Sequence, residues 1–344
     1  MSAQGSPPED VPPGLALLRM VTGRWVSQAI TAAADLGVAD VLPAEGLTPD
    51  AIASTIGAHG PSVRRLLRAL ASVGVFEEDA QGRFRHTPLS EALKSHVPGS
   101  IRGMAHHVGS KVATAAWADL TTSVRTGEPA FRRLYGKSFF EYLASAPEDA
   151  AAFDDAMHGV SSTSIPAILA AYDFSDCGTL VDVGGGDGTL LRAILAKHTG
   201  LRGAVYDVDH VVARTKERVH DAPEGSRITT AAGSFFDSVP KGGDTYLLKH
   251  ILHDWDDARC LQILRNVRAS ISAKGRVLVI ESVISPGNDP SLGKLLDLEM
   301  LAIAEGGMER TEQEFAALFE ATGFELTRVV RTQAEPCVVE GRPA

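Results

Sequence analysis

Leu180-Val181-Asp182-Val183-Gly184-Gly185-Gly186-Asp187-Gly188, followed by Leu190-Leu191-Arg192-Ala193-Ile194-Leu195, is the stretch that decides the fold class. A short β-branched apolar run that breaks into glycines and resumes with helical spacing reads as strand, tight loop and helix. The same texture recurs downstream. Ala204-Val205-Tyr206, Ile228-Thr229-Thr230, Tyr246-Leu247-Leu248 and Val277-Leu278-Val279-Ile280 are strand-like, and helical stretches such as residues 258–270 separate most of them. Strands that are apolar on both faces and alternate with helices predict an α/β, doubly wound parallel sheet covered on either side. Ligands of such sheets sit at the carboxyl ends of the strands, so the chemistry is sought there.

The glycine loop is a place where a ligand approaches the backbone closely. It departs from the dinucleotide fingerprint, which wants glycines at positions one, three and six: counted from Gly184, the sixth position is Thr189. No Gly-Lys-Ser/Thr follows, which excludes a P-loop. Asp207 ends the second strand, 23 residues after Gly184. A carboxylate there accepts hydrogen bonds from ribose hydroxyls, so the loop predicts a nucleoside without a pyrophosphate. Asp209 competes for that role, and Asp207 is favoured because it lies nearer the strand end.

Working outward, residues 15–36 carry Leu18, Val21, Trp25, Ala29, Ile30 and Ala33 at helical spacing. Thr48-Pro49-Asp50 is a helix start, and Gly60-Pro61-Ser62 is another, leading into Val63, Leu66, Leu67, Leu70 and Val73 before Gly74. Residues 75–86 predict a hairpin turning at Asp79-Ala80-Gln81-Gly82. Helix, turn, helix and a two-stranded ribbon is the winged-helix order, and in isolation it suggests DNA binding. Residues 48–100, however, hold six Arg/Lys against five Asp/Glu, and the whole chain holds 33 against 43, a net charge of −10. That balance argues against nucleic acid as the partner and for a dimerisation platform faced by the apolar first helix. Residues 1–13 read as a tail with no export-signal pattern, and no run approaches 18 apolar residues, so no membrane span is expected. Cys177, Cys260 and Cys337 are too scattered for a zinc module or disulfide framework, which suits the cytoplasm. The expected organisation is a tail (1–13), a winged-helix dimerisation domain (14–100), a helical region (101–172) and a nucleoside-binding α/β domain (173–344).

Three motifs carry a resemblance. The glycine stretch is similar to the first motif of class I S-adenosylmethionine-dependent methyltransferases. Lys249-His250-Ile251-Leu252-His253-Asp254-Trp255-Asp256-Asp257 and Gly306-Gly307-Met308-Glu309-Arg310-Thr311 resemble the small-molecule O-methyltransferases. That family includes plant caffeic acid enzymes, hydroxyindole O-methyltransferase and bacterial enzymes of polyketide and phenazine tailoring. The resemblance covers nearly the whole chain. It implies a Rossmann-like sheet, a homodimer formed through the N-terminal domain, S-adenosylmethionine as methyl donor and an aromatic hydroxyl as acceptor.

Methyl transfer from a sulfonium needs an activated nucleophile held in line with the methyl group. With tyrosine as the model, a phenol of pKa about 10 costs about 4 kcal/mol to ionise at neutral pH, and a histidine is suited to take its proton without a metal. His253 follows the strand at residues 246–248 and matches the family's base, whereas His250 lacks that match and reads as structural. Such a base needs an orienting carboxylate, and the resemblance offers Glu309 and Glu281. It also implies Gly184, Gly186, Asp207, Phe235 and Lys249 around the donor. Ser234 stands where plant enzymes have an acid that meets the adenine amino group, and its hydroxyl also accepts hydrogen bonds. Phe153, Met157, Asp254, Asp297 and Met300 fall where the family lines its acceptor site. Asp254, Asp256 and Asp257 also invite a magnesium site, but Asp256 and Asp257 read better as N-terminal acids of the next helix. The rival functions are a relative repurposed for nitrogen or carbon methylation or for hydroxylation, a ligand-sensing DNA-binding regulator and a nicotinamide-linked oxidoreductase.

Overall fold

The computed structural model describes residues 11–344; residues 1–10, which hold most of the expected tail, lie outside the described residues. The chain divides into two compact units. One comprises the residues up to Thr114 together with Leu143–Thr163, and the other comprises Ala115–Tyr142 and Ser164–Ala344.

In the first unit the apolar stripe of residues 15–36 folds as two helices, Pro13–Val21 and Gly23–Asp35, instead of one. The break falls at Thr22, whose backbone N–H and hydroxyl both donate to the Leu18 carbonyl at 2.9 Å. Helix Pro49–Ile56 begins where the sequence predicts, with Thr48 Oγ1 accepting the Ala51 N–H and proline in the first turn. Helix Gly60–Ser72 follows, and then β1 (Phe76–Glu78) pairs antiparallel with β2 (Phe84–His86). Asp79 Oδ1 accepts the N–H groups of Gln81 and Arg83 and closes the turn. Ile52, Val63, Leu67, Leu70, Phe76 and Phe84 form the core of this unit.

The second unit is built on seven strands: β3 (Thr179–Val183), β4 (Arg202–Asp207), β5 (Ile228–Ala232), β6 (Thr245–Lys249), β7 (Arg276–Glu281) and, after a short parallel pair β8 (Val283–Ile284) and β9 (Arg310–Thr311), β10 (Phe324–Val330) and β11 (Cys337–Pro343). Their order is β10-β11-β7-β6-β3-β4-β5. The five strands named by the sequence pattern run parallel. The last two do not: β11 lies antiparallel between β7 and β10, so the sheet is mixed where a parallel one was expected. The pattern of β10 hides it, because Glu325, Arg328 and their neighbours face outward on a half-exposed edge.

Alternation along the strands feeds two cores. Val181, Val183, Tyr246, Leu248, Val277 and Val279 pack against helices Asp257–Ser270 and Glu312–Glu320. Leu180, Val205, Leu247, Leu278, Ile280 and Val338 pack on the other face with Leu190, Leu191, Ile194 and Leu195 of helix Thr189–Lys197. The chain leaves β3 toward β4 and β5, then crosses to β6 on the opposite side of β3. The carboxyl ends of β3 and β6 therefore form the topological switch point, where a doubly wound sheet opens a crevice. Among the described residues no helix is long and apolar enough to cross a membrane.

Candidate active site

Both switch strands end in unusual backbone. After β3, Gly184, Gly186 and Gly188 adopt φ values of 68°, 56° and 75°, a region that costs an L-residue roughly 1–2 kcal/mol. Gly184 N–H donates to the Tyr206 carbonyl at 2.8 Å, which ties the loop to β4. Gly186 N–H donates to Asp207 Oδ2 at 2.9 Å, and Val208 N–H donates to Asp207 Oδ1 at 2.7 Å. The carboxylate at the end of β4 is thus aimed at the loop. A Cβ on Gly186 would meet no atom within 4 Å, so one face of the loop is open. A Cβ on Gly184 would stand 2.3 Å from Ile251 Cδ1 and 3.7 Å from the Phe235 ring, so the glycine turn rests on the segment after β6.

Beneath the loop, Asp182 is buried on β3, and burial pushes its carboxyl up to about 7 against the opposing pull of Lys249. Burial likewise lowers Lys249, at the end of β6, to about 8, with Asp182 opposing. Ser234 accepts the Phe236 N–H at 3.2 Å. Phe235 meets Phe236 edge-on at 4.8 Å and Trp255 at 6.3 Å. Open backbone, a strand-end carboxylate, an adjacent aromatic ring and a buried ammonium suit an adenosine bearing an amino acid.

After β6 the chain bends at His250, one of two described non-glycine residues with positive φ (53°), and makes a single 3₁₀ turn, Leu252–Asp254. His253 on that turn is 8% exposed. Its Nδ1 lies 2.7 Å from Glu309 Oε1, and its Nε2 lies 3.7 Å from Asp254 Oδ1. Glu309 is itself buried, and its N–H donates to Asp297 Oδ1 at 2.9 Å, so helix Leu292–Ile303, which carries Asp297 and Met300, anchors the carboxylate that meets the ring. Burial alone would lower the His253 pKa. Asp254, Glu309 and Glu281 together outweigh it and raise the imidazole to about 10. Burial pushes Asp254 up to about 6 and Glu281 up to about 7, with His253 opposing in both.

Glu281 takes a different position from Glu309. It ends β7, and strand register sets Ile280 beside Lys249, with His250 N–H donating to the Ile280 carbonyl at 3.2 Å. Glu281 Oε1 accepts the backbone N–H groups of Ile251 (2.9 Å), Leu252 (2.6 Å) and His253 (3.3 Å). It therefore grips the backbone that carries the ring.

The three acids after His253 part company: Asp254 faces the imidazole, Asp256 caps helix Asp257–Ser270 by accepting the Arg259 N–H at 2.8 Å, and Asp257 pairs with Arg310 at 2.8 Å. Among the described residues no three His, Cys, Asp or Glu side chains gather as metal ligands. Phe153 and Met157 lie on helix Pro147–Ala171, in the part that belongs to the first unit; Met157 is half-buried and Phe153 meets the His107 ring edge-on at 5.3 Å.

Two features here escaped the sequence reading. Arg310 is 1% exposed and bonded to this turn, although its place beside Glu309 in the Met-Glu-Arg-Thr motif was a signal. His250 holds its ring 5.2 Å from that of His253, with Nε2 lacking a partner among the described residues. Burial drives its pKa well below the ordinary histidine value. No sequence pattern announces a left-handed histidine.

Residues 117–325 match the model of the O-methyltransferase domain, and residues 18–95 match the O-methyltransferase dimerisation domain. The chain is 43% identical to a phenazine O-methyltransferase of Lysobacter antibioticus, over 97% of each chain. It is 40% identical to O-demethylpuromycin-O-methyltransferase of Streptomyces alboniger, over 91% of this chain and 84% of that one. A methyltransferase of calicheamicin biosynthesis, solved in its SAH-bound form, superposes with a TM-score of 0.87 at 36% identity, over 97% of this chain and 100% of that one.

Proposed function

Since the chain belongs to the S-adenosylmethionine-dependent O-methyltransferase family, we propose that it methylates a hydroxyl of an aromatic small molecule, in natural-product biosynthesis, with His253 as the general base. The contact that carries this reading is the 2.7 Å hydrogen bond between His253 and buried Glu309 at the carboxyl end of β6.

The donor supplies a methyl group on a positively charged sulfur, which is a good leaving group. Gly184 and Gly186 would cradle it, Asp207 would accept from the ribose hydroxyls, Phe235 would cover the adenine with Ser234 beside it, and Lys249 would lie near the adenosine. The chain's remaining task is to produce an oxyanion beside that methyl. Glu309 holds the Nδ1–H tautomer, which leaves Nε2 as the proton acceptor. A phenol of pKa about 10 giving its proton to an imidazole of pKa about 6.5 would climb roughly 5 kcal/mol. The raised basicity of the ring narrows that gap. The neutral ring is then a minor species at neutral pH, so turnover should rise with pH toward that raised value.

Exposed Leu17, Leu18, Met20, Val21 and Trp25 on the first two helices support a homodimer through the N-terminal unit. His253→Ala and His253→Gln test the base. Each should lower kcat by about 10²-fold or more while donor affinity, read by calorimetry, stays unchanged. Near-normal turnover would refute the assignment. A paired panel of phenols and aromatic amines tests the acceptor, and turnover confined to amines would overturn the hydroxyl reading.

A further inference from the structure

A single 3₁₀ turn has little stability of its own, because its hydrogen bonds are poorly aligned and its end groups lack partners. The turn Leu252–Asp254 nevertheless carries the ring that takes the proton in the reading above, on which this inference rests. On its donor side the N–H groups of residues 251–253 converge on Glu281 Oε1. On its acceptor side Arg310 does the complementary work. Nη1 donates to the Leu252 carbonyl at 2.9 Å and Nη2 to the Trp255 carbonyl at 2.9 Å. Asp257 Oδ1 accepts from Nη2 at 2.8 Å and from Nε at 3.2 Å. Leu252 is thus held at its N–H by a carboxylate and at its carbonyl by a guanidinium. The pairing of β8 with β9 sets Arg310 opposite Val283, two residues beyond Glu281.

We propose that Arg310 is a positioning residue for methyl transfer: with Glu281 it clamps the His253 turn through backbone hydrogen bonds, touching neither substrate nor reacting atoms. The planar fork matters. It reaches two carbonyls and a carboxylate at once, which a lysine ammonium cannot reproduce.

The test is Arg310→Lys and Arg310→Met in the full chain, alone and combined with His253→Ala. The expected result is a kcat lowered about 10- to 100-fold with the KM of acceptor and donor within about threefold, and with the acid limb of the kcat–pH profile displaced to lower pH as the ring drifts from Glu309. In the His253→Ala background the same substitutions should change the residual rate by less than about twofold. An unchanged kcat and pH profile overturns the clamp, and so does an equal loss in both backgrounds, which would mark a general folding defect. Asp257→Ala removes the outer anchor of the guanidinium from an exposed position and serves where the Arg310 variants do not fold. It should lower kcat severalfold without changing KM, and no effect there also overturns the clamp. Normal turnover of His253→Ala alone would instead sink the base reading, so the two failures are distinguishable.

Discussion

Replacing Glu309 by glutamine keeps the shape of the side chain and an oxygen able to accept the Nδ1–H, and removes only the charge. That charge sits 2.7 Å from His253 in a site where Glu309 is 1% exposed. A buried hydrogen bond to a charged group contributes about 1.5–3 kcal/mol, and one pKa unit corresponds to about 1.4 kcal/mol. The substitution should therefore lower the imidazole pKa by about one to two units. Asp254 and Glu281 remain, so the ring should stay above an ordinary histidine. Two consequences oppose each other. More of the enzyme carries a neutral ring near pH 7, yet each neutral ring is a weaker base, and the imidazolium formed during transfer faces an uncharged oxygen in place of a carboxylate. The acid limb of kcat against pH should move to lower pH by about one to two units, and the alkaline plateau should fall about 10- to 100-fold. Chromatographic quantification of methylated phenol under saturating donor, from pH 6 to pH 10.5, reads both. An acid limb that stays in place or moves upward would refute the claim that Glu309 sets the basicity of His253.

Other outcomes follow from the loop and the core. Gly186→Ala should still fold, since its Cβ meets no protein atom, at a cost of roughly 1–2 kcal/mol for an L-residue at φ 56°, and should weaken donor binding about tenfold or more by calorimetry because the added methyl faces the open side of the loop. Gly184→Ala should lower kcat as well, because its Cβ forces Ile251, two residues before His253, to move. Asp182 is pushed up to about 7 when folded, against an unfolded carboxyl near 4. Between those values the folded protein holds a proton that the unfolded chain has released, so raising the pH through that window lowers stability. Asp182→Asn should flatten that portion of the Tm–pH profile, and a profile of unchanged slope would count against the burial argument.

Much of this protein was legible in its residue order because the underlying signals are local. The run at residues 180–195 states strand, loop and helix through side-chain volume, β-branching and glycine placement, and each of those acts within a few residues. Thr48-Pro49, the Asp79 turn and Asp256 before its helix are likewise caps and turns whose donors and acceptors lie close in sequence. His253, Glu309 and Glu281 were named from motifs, but the motifs assigned both glutamates the same place. The tertiary structure separates them: strand register sets Glu281 under the backbone of the turn, while Asp297 holds Glu309 against the ring. The antiparallel entry of β11 between β7 and β10 also depends on packing partners far along the chain.

The sequence by itself determined the alternating α/β architecture, the glycine turn and the residue types able to carry methyl transfer, since periodicity and local chemistry encode these. Only the tertiary structure decided which carboxylate touches the imidazole, which one holds its backbone, and that Arg310 closes the grip from the other side. Those assignments arise where strands distant in the chain meet at the switch point of the sheet, and burial there alters the strength of every charge they bring together.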